Sequence, residues 1–194
     1  MSLLTIVPER EPSRVEQAST DPAEIARLLA PLGVRFERWA AARELPAGAG
    51  QAEVLAAYRA EVDRVTREGG YASVDVVRLA PDPADPGWPA KARAAREKFL
   101  AEHTHAEDEV RFFVEGAGLF YLRSGGRVFL ALCERGDLLS VPAGTRHWFD
   151  MGERPSFCAI RFFGTPEGWV ASFTGDAIAG GFPSFDEVRR GAAT

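Results

Sequence analysis

A chain of 194 residues with 23 Lys and Arg against 28 Asp and Glu carries a formal charge of -5, and an acidic surface of this kind opposes nucleic-acid binding, which needs basic patches to neutralise phosphates. The apolar share of 46% is ample for a core, the length suits one domain over 1-194, and no run of about 18 apolar residues exists to span a membrane. The first eight residues lack the charged and long apolar regions of a signal peptide, and Cys133 and Cys158 sit among apolar residues as buried thiols, so a cytoplasmic protein is expected.

Leu3 to Val7 reads as a strand. Thr20 or Asp21 caps a helix with Pro22 at its first position, Ile25, Leu28, Leu29 and Leu32 follow helical spacing, and Gly33 closes the element. Val34 to Trp39 alternates as a strand. Between Gln51 and Glu68, Val54, Leu55, Tyr58, Val62 and Val65 form one helical stripe that ends at Gly69-Gly70. Tyr71 to Leu79 is β-branched and strand-like. The four prolines between Pro81 and Pro89 demand a loop. Ala90 to Leu100 is a third helix. From there the texture changes to short β-rich runs separated by glycine turns: Glu109 to Val114, Gly118 to Arg123, Arg127 to Cys133, Asp137 to Val141 and Phe157 to Phe163. That rhythm predicts an antiparallel sandwich or barrel. The helices, each with one apolar stripe, are expected to pack outside it, and the tail from Gly175 reads as loop. No apolar surface stripe is left over, so a monomer is expected.

All three histidines of the chain fall in two stretches, His103-Thr104-His105-Ala106-Glu107-Asp108-Glu109 and Pro142-Ala143-Gly144-Thr145-Arg146-His147. A neutral imidazole offers a lone pair near pH 7, which makes histidine the commonest metal ligand. On a continuous strand His103, His105 and Glu109 share parity and point to one interior, and a second strand ending near His147 supplies a fourth ligand. Three imidazoles and a carboxylate leave positions open on an octahedral ion, which suits Fe(II), Ni(II), Mn(II) or Co(II) better than a closed zinc site. Glu107 and Arg111 share the ligand parity. Arg111 is then either a rim cation or a guanidinium beside the metal, able to hold an anionic oxygen in a planar fork. Arg161 lies on a largely apolar strand face with Phe157, Ala159 and Phe163 and needs a partner, a substrate or a protein carboxylate. Glu102 and Asp108 are either solvated acids or groups that orient a ligand histidine. Phe99, Phe149 and Trp169 are either core or pocket wall.

The spacing from His103 to Gly116 and from Gly136 to His147 resembles the two motifs of the cupin superfamily, although Glu97 and Met151 stand where those motifs usually carry glycine and asparagine. The wording from Phe99 to His105 and from Glu107 to Gly116, with Phe162-Phe163-Gly164 and Gly168-Trp169, is similar to acireductone dioxygenase, an enzyme of methionine salvage, over roughly the last hundred residues. The resemblance implies a cupin-type antiparallel β-barrel with peripheral α-helices, its core at about 71-165, and one Fe(II) or Ni(II) per chain on His103, His105, Glu109 and His147. It implies oxidation of 1,2-dihydroxy-3-keto-5-methylthiopentene by O2. With Fe(II) the products are formate and 4-methylthio-2-oxobutanoate, and with Ni(II) they are formate, CO and 3-methylthiopropanoate. It also implies substrate roles for Arg111 and Arg161, an apolar wall of Phe99, Phe149 and Trp169 for the thioether tail, and catalytic or proton-handling roles for Arg111, Glu102 and Asp108. Two rivals expect other features. A metal-dependent sugar isomerase wants a polar pocket and consumes no O2, and a non-enzymatic cupin module has no need of the full ligand set.

Overall fold

The structure is a computed structural model and describes residues 1–40, 45–46, 48–165 and 168–192. In chain order it contains β1 (Leu3–Pro8), β2 (Gln17–Ser19), α1 (Pro22–Leu29), β3 (Arg35–Arg38), α2 (Gln51–Ala57), α3 (Arg59–Gly69), β4 (Ser73–Leu79) and α4 (Trp88–Glu97). The second half adds β5 (His103–Thr104), β6 (Glu109–Ser124), β7 (Arg127–Glu134), β8 (Asp137–Val141), β9 (Arg146–Asp150), β10 (Phe157–Phe163), β11 (Ser172–Phe173) and α5 (Phe185–Gly191). Among the described residues no helix is long and apolar enough to cross a membrane.

Two antiparallel sheets face each other. One runs β4-β10-β6-β8-β3 and the other β2-β1-β7-β6-β9-β5-β11. Leu4 and Ile6 of β1, Phe120 and Leu122 of β6, Phe129 of β7, Leu139 and Val141 of β8, and Phe157 and Ala159 of β10 form the core between them. This is the cupin-type architecture, built as facing sheets whose described ladders end at free edges. Helices cover the outside. Val54, Tyr58, Val62 and Val65 pack on the outward Val110, Phe112, Val114 and Ile160. At the other face Phe185 and Val188 pack against Leu119, Tyr121, Leu130 and Trp148. Helix α1 instead sends Ile25 and Leu29 into the core; it starts at Asp21, whose carboxylate accepts from Glu24 N at 2.8 Å, and Gly33 closes the segment at φ 73°.

Three expectations need correction. The stripe from Gln51 to Glu68 is two helices, because the chain turns out of helical geometry at Tyr58 (φ -109°, ψ 21°), where the buried ring meets Phe112 edge-on at 5.0 Å. The tail is not all loop. Ser184 and Glu187 form a reciprocal capping box that starts α5, and Phe185 anchors it in the outer cluster. Glu109–Ser124 is one strand rather than two. Along it the inward residues are Glu109, Arg111 and Phe113, then Phe120 and Leu122, so parity switches midway. The switch is a bulge: β10 pairs Ala159 with Phe113 but Cys158 with Glu115. The bulge, with Gly116 at φ 70° after it, passes β6 from one sheet to the other.

A Cβ at Gly116 would stand 1.9 Å from the Ser156 carbonyl oxygen, which is backbone and has little room to retreat. With the positive φ added, Gly116→Ala is expected to cost about 3 kcal/mol or more. Chemical denaturation of the metal-free protein measures it, and a loss under about 1 kcal/mol would contradict this account of the kink.

Candidate metal centre

Strand β5 ends at Thr104, and residues 105–108 form a bent loop before β6 begins at Glu109. The ligand segment is therefore not the continuous strand that parity requires, and Glu107 shows the difference. Its carboxylate turns away to accept from Gly164 N, Thr165 N and the Thr165 hydroxyl. The loop nonetheless brings His105 back. His103 sits opposite His147 on β9, and one ligand atom from each of His103, His105, Glu109 and His147 lies within 4.8 Å of all the others. The four residues are between 1% and 4% exposed.

Each imidazole is oriented by a main-chain oxygen. His103 Nδ1 donates to the Ala101 carbonyl at 2.8 Å, His105 Nδ1 to Val170 at 2.9 Å and His147 Nδ1 to Thr145 at 2.8 Å. A carbonyl only accepts, so the proton belongs on Nδ1 and the lone pair on Nε2. Glu109 Oε2 stands 3.0 Å from both His105 Nε2 and His147 Nε2. Lone pairs facing a carboxylate oxygen repel unless a cation or proton lies between them, and His105 Nε2 is buried with no aligned hydrogen bond. The donor set thus fits one divalent transition-metal ion. Burial, with His147 adding to it, pushes His103 down to about 4, which keeps its lone pair free at neutral pH. Burial lowers His105 too, but the Glu109 carboxylate and the Val170 carbonyl outweigh it and hold the ring above its ordinary value. Burial opposes the Glu109 charge, yet Arg111 and the two imidazoles keep its carboxyl well below the usual range.

Arg111 lies inside, 3% exposed, with Nε 2.7 Å from Glu109 Oε1. Its guanidinium carbon is 4.6 Å from the Phe149 ring, 5.0 Å from Trp169, 5.6 Å from Phe120 and 5.7 Å from Phe99. Phe99, Phe149 and Trp169 are thus gathered round one buried cation, a placement worth up to about 2 kcal/mol per well-desolvated contact. Phe120 was not foreseen, because the bulge changes which parity faces inward. Phe99 and Trp169 also line a cavity of about 370 Å³ with Asp75, Lys98, Arg161 and Phe163.

Arg161 stands opposite Arg111 across the β10–β6 pairing. Its partner is a protein carboxylate: it makes a two-pronged ion pair with Asp75 of β4, at 2.8 and 2.6 Å. Alternation in Ser73–Leu79 places Asp75 on the inward face, but pairing of β4 with β10 has no local sequence signature. Asp108 Oδ1 accepts from Ala143 N at 3.0 Å and its carbonyl from Trp169 Nε1 at 3.1 Å, so it braces the turn before His147 and the Trp169 ring. Glu102, 1% exposed, is engaged by Arg123 and the Thr174 hydroxyl. Cys133 and Cys158 are free and buried, away from this set, and burial raises both thiols.

Comparison with known proteins agrees with this geometry. The ARD/ARD' family matches residues 4–171. The chain is 57% identical over 188 residues to "Acireductone dioxygenase 1" of Nocardia farcinica, covering 97% of this chain and 99% of that protein. It is 58% identical over 186 residues to an acireductone dioxygenase of Parvibaculum lavamentivorans, covering 96% and 98%. Among solved structures, the acireductone dioxygenase of Bacillus anthracis, with a cadmium ion in its active centre, superposes with a TM-score of 0.75 at 30% identity, covering 89% of this chain and 98% of that one. With a matching profile over most of its length and relatives this similar end to end, the chain belongs to the ARD/ARD' family.

Proposed function

We infer that the protein cleaves the acireductone 1,2-dihydroxy-3-keto-5-methylthiopentene with O2, as a dioxygenase of methionine salvage. The observation that carries this reading is the Glu109–Arg111 pair beside three imidazoles in an aromatic enclosure. Glu109 and Arg111 cancel, an imidazole that ligates a metal is neutral, and a divalent ion would therefore leave two uncompensated positive charges in the pocket. A dianionic enediolate answers both. His103, His105, Glu109 and His147 hold the ion, Fe(II) or Ni(II), which when bound supplies a Lewis-acid template for the substrate oxygens. Arg111 offers its fork to an enediolate oxygen. Phe99, Phe149 and Trp169 exclude water and face the thioether tail, and Arg161 borders the cavity. Of the two acids, Glu102 has both oxygens engaged by Arg123 and Thr174, so we assign proton handling to Asp108, which accepts from Ala143 N through Oδ1. The aromatic rings gathered round Arg111 disfavour a sugar.

The test is anaerobic addition of the acireductone to protein reconstituted with Fe(II) or with Ni(II), followed by air. O2 uptake is expected with both, with formate and 4-methylthio-2-oxobutanoate from the Fe(II) form and formate, CO and 3-methylthiopropanoate from the Ni(II) form. Fully metallated protein that consumes no O2 would refute the reading.

A further inference from the structure

Residues 168–176 form a strap across the metal centre, attached to it largely through main-chain atoms. The Val170 carbonyl accepts from His105 Nδ1 at 2.9 Å, Ser172 and Phe173 pair with Thr104 and His103, and the Trp169 ring covers Arg111. Trp169 anchors the start of this strap by packing on Arg111 and donating to the Asp108 carbonyl, but beyond it burial does not hold the strap down. Val170 is 65% and Phe173 58% exposed, and its strand is two residues long. A segment with so little buried apolar surface opens easily unless something else fixes it.

The fixture is polar. Arg123, at the far end of β6, donates from Nη1 to Asp176 Oδ2 at 2.8 Å and to Glu102 Oε2 at 3.2 Å, and from Nε to Glu9 at 2.9 Å. The Thr174 hydroxyl donates to Glu102 Oε1 at 2.8 Å, and Thr174 N to the Glu102 carbonyl at 3.1 Å. Glu102 is 1% exposed, so these donors are what its carboxylate oxygens have in place of water. It also immediately precedes the ligand His103. One network thus joins the ligand strand, the strap and the wall strand.

We propose that Arg123 is a positioning residue for the metal ligand His105: through Glu102, Thr174 and Asp176 it locks the strap, so that the Val170 carbonyl keeps the His105 ring aimed with Nε2 at the ion. Val170 O cannot be deleted by substitution, but its support can be loosened. The inference rests on the four-ligand metal site and concerns how tightly that site keeps its ion.

The experiment loads the full-length protein with Ni(II), adds excess EDTA, and follows release by elemental analysis of the desalted protein. Arg123→Ala would strand the Glu102 charge and risks unfolding, so Thr174→Val and Asp176→Asn are used. Arg64→Ala is the control; it removes comparable ion pairs, to Glu37 and Glu68, on the outer helix α3. Removing the support of a ligand histidine typically weakens metal binding by about 10- to 100-fold. Release is therefore expected to quicken roughly tenfold in Thr174→Val, by a smaller factor in Asp176→Asn, and not at all in Arg64→Ala. Wild-type rates in both strap variants would overturn the proposal, as would an equal acceleration in the control. A wild-type protein that takes up no Ni(II) would instead overturn the metal reading itself.

Discussion

Arg111→Ala is expected to keep its fold and its metal but to turn over at least about a hundredfold more slowly, the cost of losing a charge-assisted hydrogen bond in a water-excluded site. The two halves of that expectation have separate causes. Arg111 and Glu109 are a buried pair at 2.7 Å, and deleting one member normally destabilises by about 3–5 kcal/mol because the other is left unanswered. Here an ion held by Glu109 and the three histidines would answer the Glu109 charge, so the penalty falls mainly on the metal-free protein. Thermal unfolding of the variant should therefore drop markedly in the presence of chelator and much less with metal bound. Turnover has no such substitute, since the neighbouring fork, Arg161, is already engaged by Asp75. Arg111→Lys should recover little, because an ammonium is a point charge and the enclosure of Phe149, Trp169, Phe120 and Phe99 is fitted to a flat cation. Metal content, circular dichroism and O2 uptake on the same preparations decide the matter. A metallated, folded Arg111→Ala with near-normal O2 uptake would sink the substrate role.

The second large effect concerns the ion. His105→Ala should reduce metal content from one ion per chain to a small fraction, because His105 supplies one of the four convergent donors. Binding to the native state alone stabilises by about 4 kcal/mol when free ion exceeds Kd a thousandfold. For a chain of this size that is on the order of 10 °C in Tm. Adding chelator should therefore lower the wild-type Tm by roughly that much and leave His105→Ala nearly unmoved. Equal metal content in the two proteins would refute the ligand assignment.

Much of this was legible in the sequence, though not always for the reason given. The use of every histidine in two spaced motifs pointed to the metal cluster, and the capping signals of α1 and the short β-rich run Asp137–Val141 were local enough to read. The parity argument reached His103, His105 and Glu109 although β5 stops at Thr104; it misplaced Glu107, whose side chain binds the turn at Gly164. What escaped depends on pairings distant in sequence. Asp75 becomes the Arg161 partner only through the β4–β10 register. Phe120 joins the enclosure only because a bulge some residues earlier changes which side of β6 faces inward. The break at Tyr58 follows from where Phe112 stands, 54 residues on by numbering. Propensity and period are local quantities, and none of these three was a local matter.

The three oxygens that orient the imidazoles belong to the peptide bonds of Ala101, Thr145 and Val170. No point substitution removes a carbonyl, so the three acceptors that orient the imidazoles are not themselves mutational targets. The side chains at 101 and 170 face solvent and are free to drift without disturbing the imidazoles. Two of the carbonyls lie two residues from the histidine they hold and travel with it, whereas Val170 is 65 residues from His105. Among the three orienting contacts, the one most open to sequence divergence is therefore the Val170 carbonyl, through a shift of the distant segment that carries it.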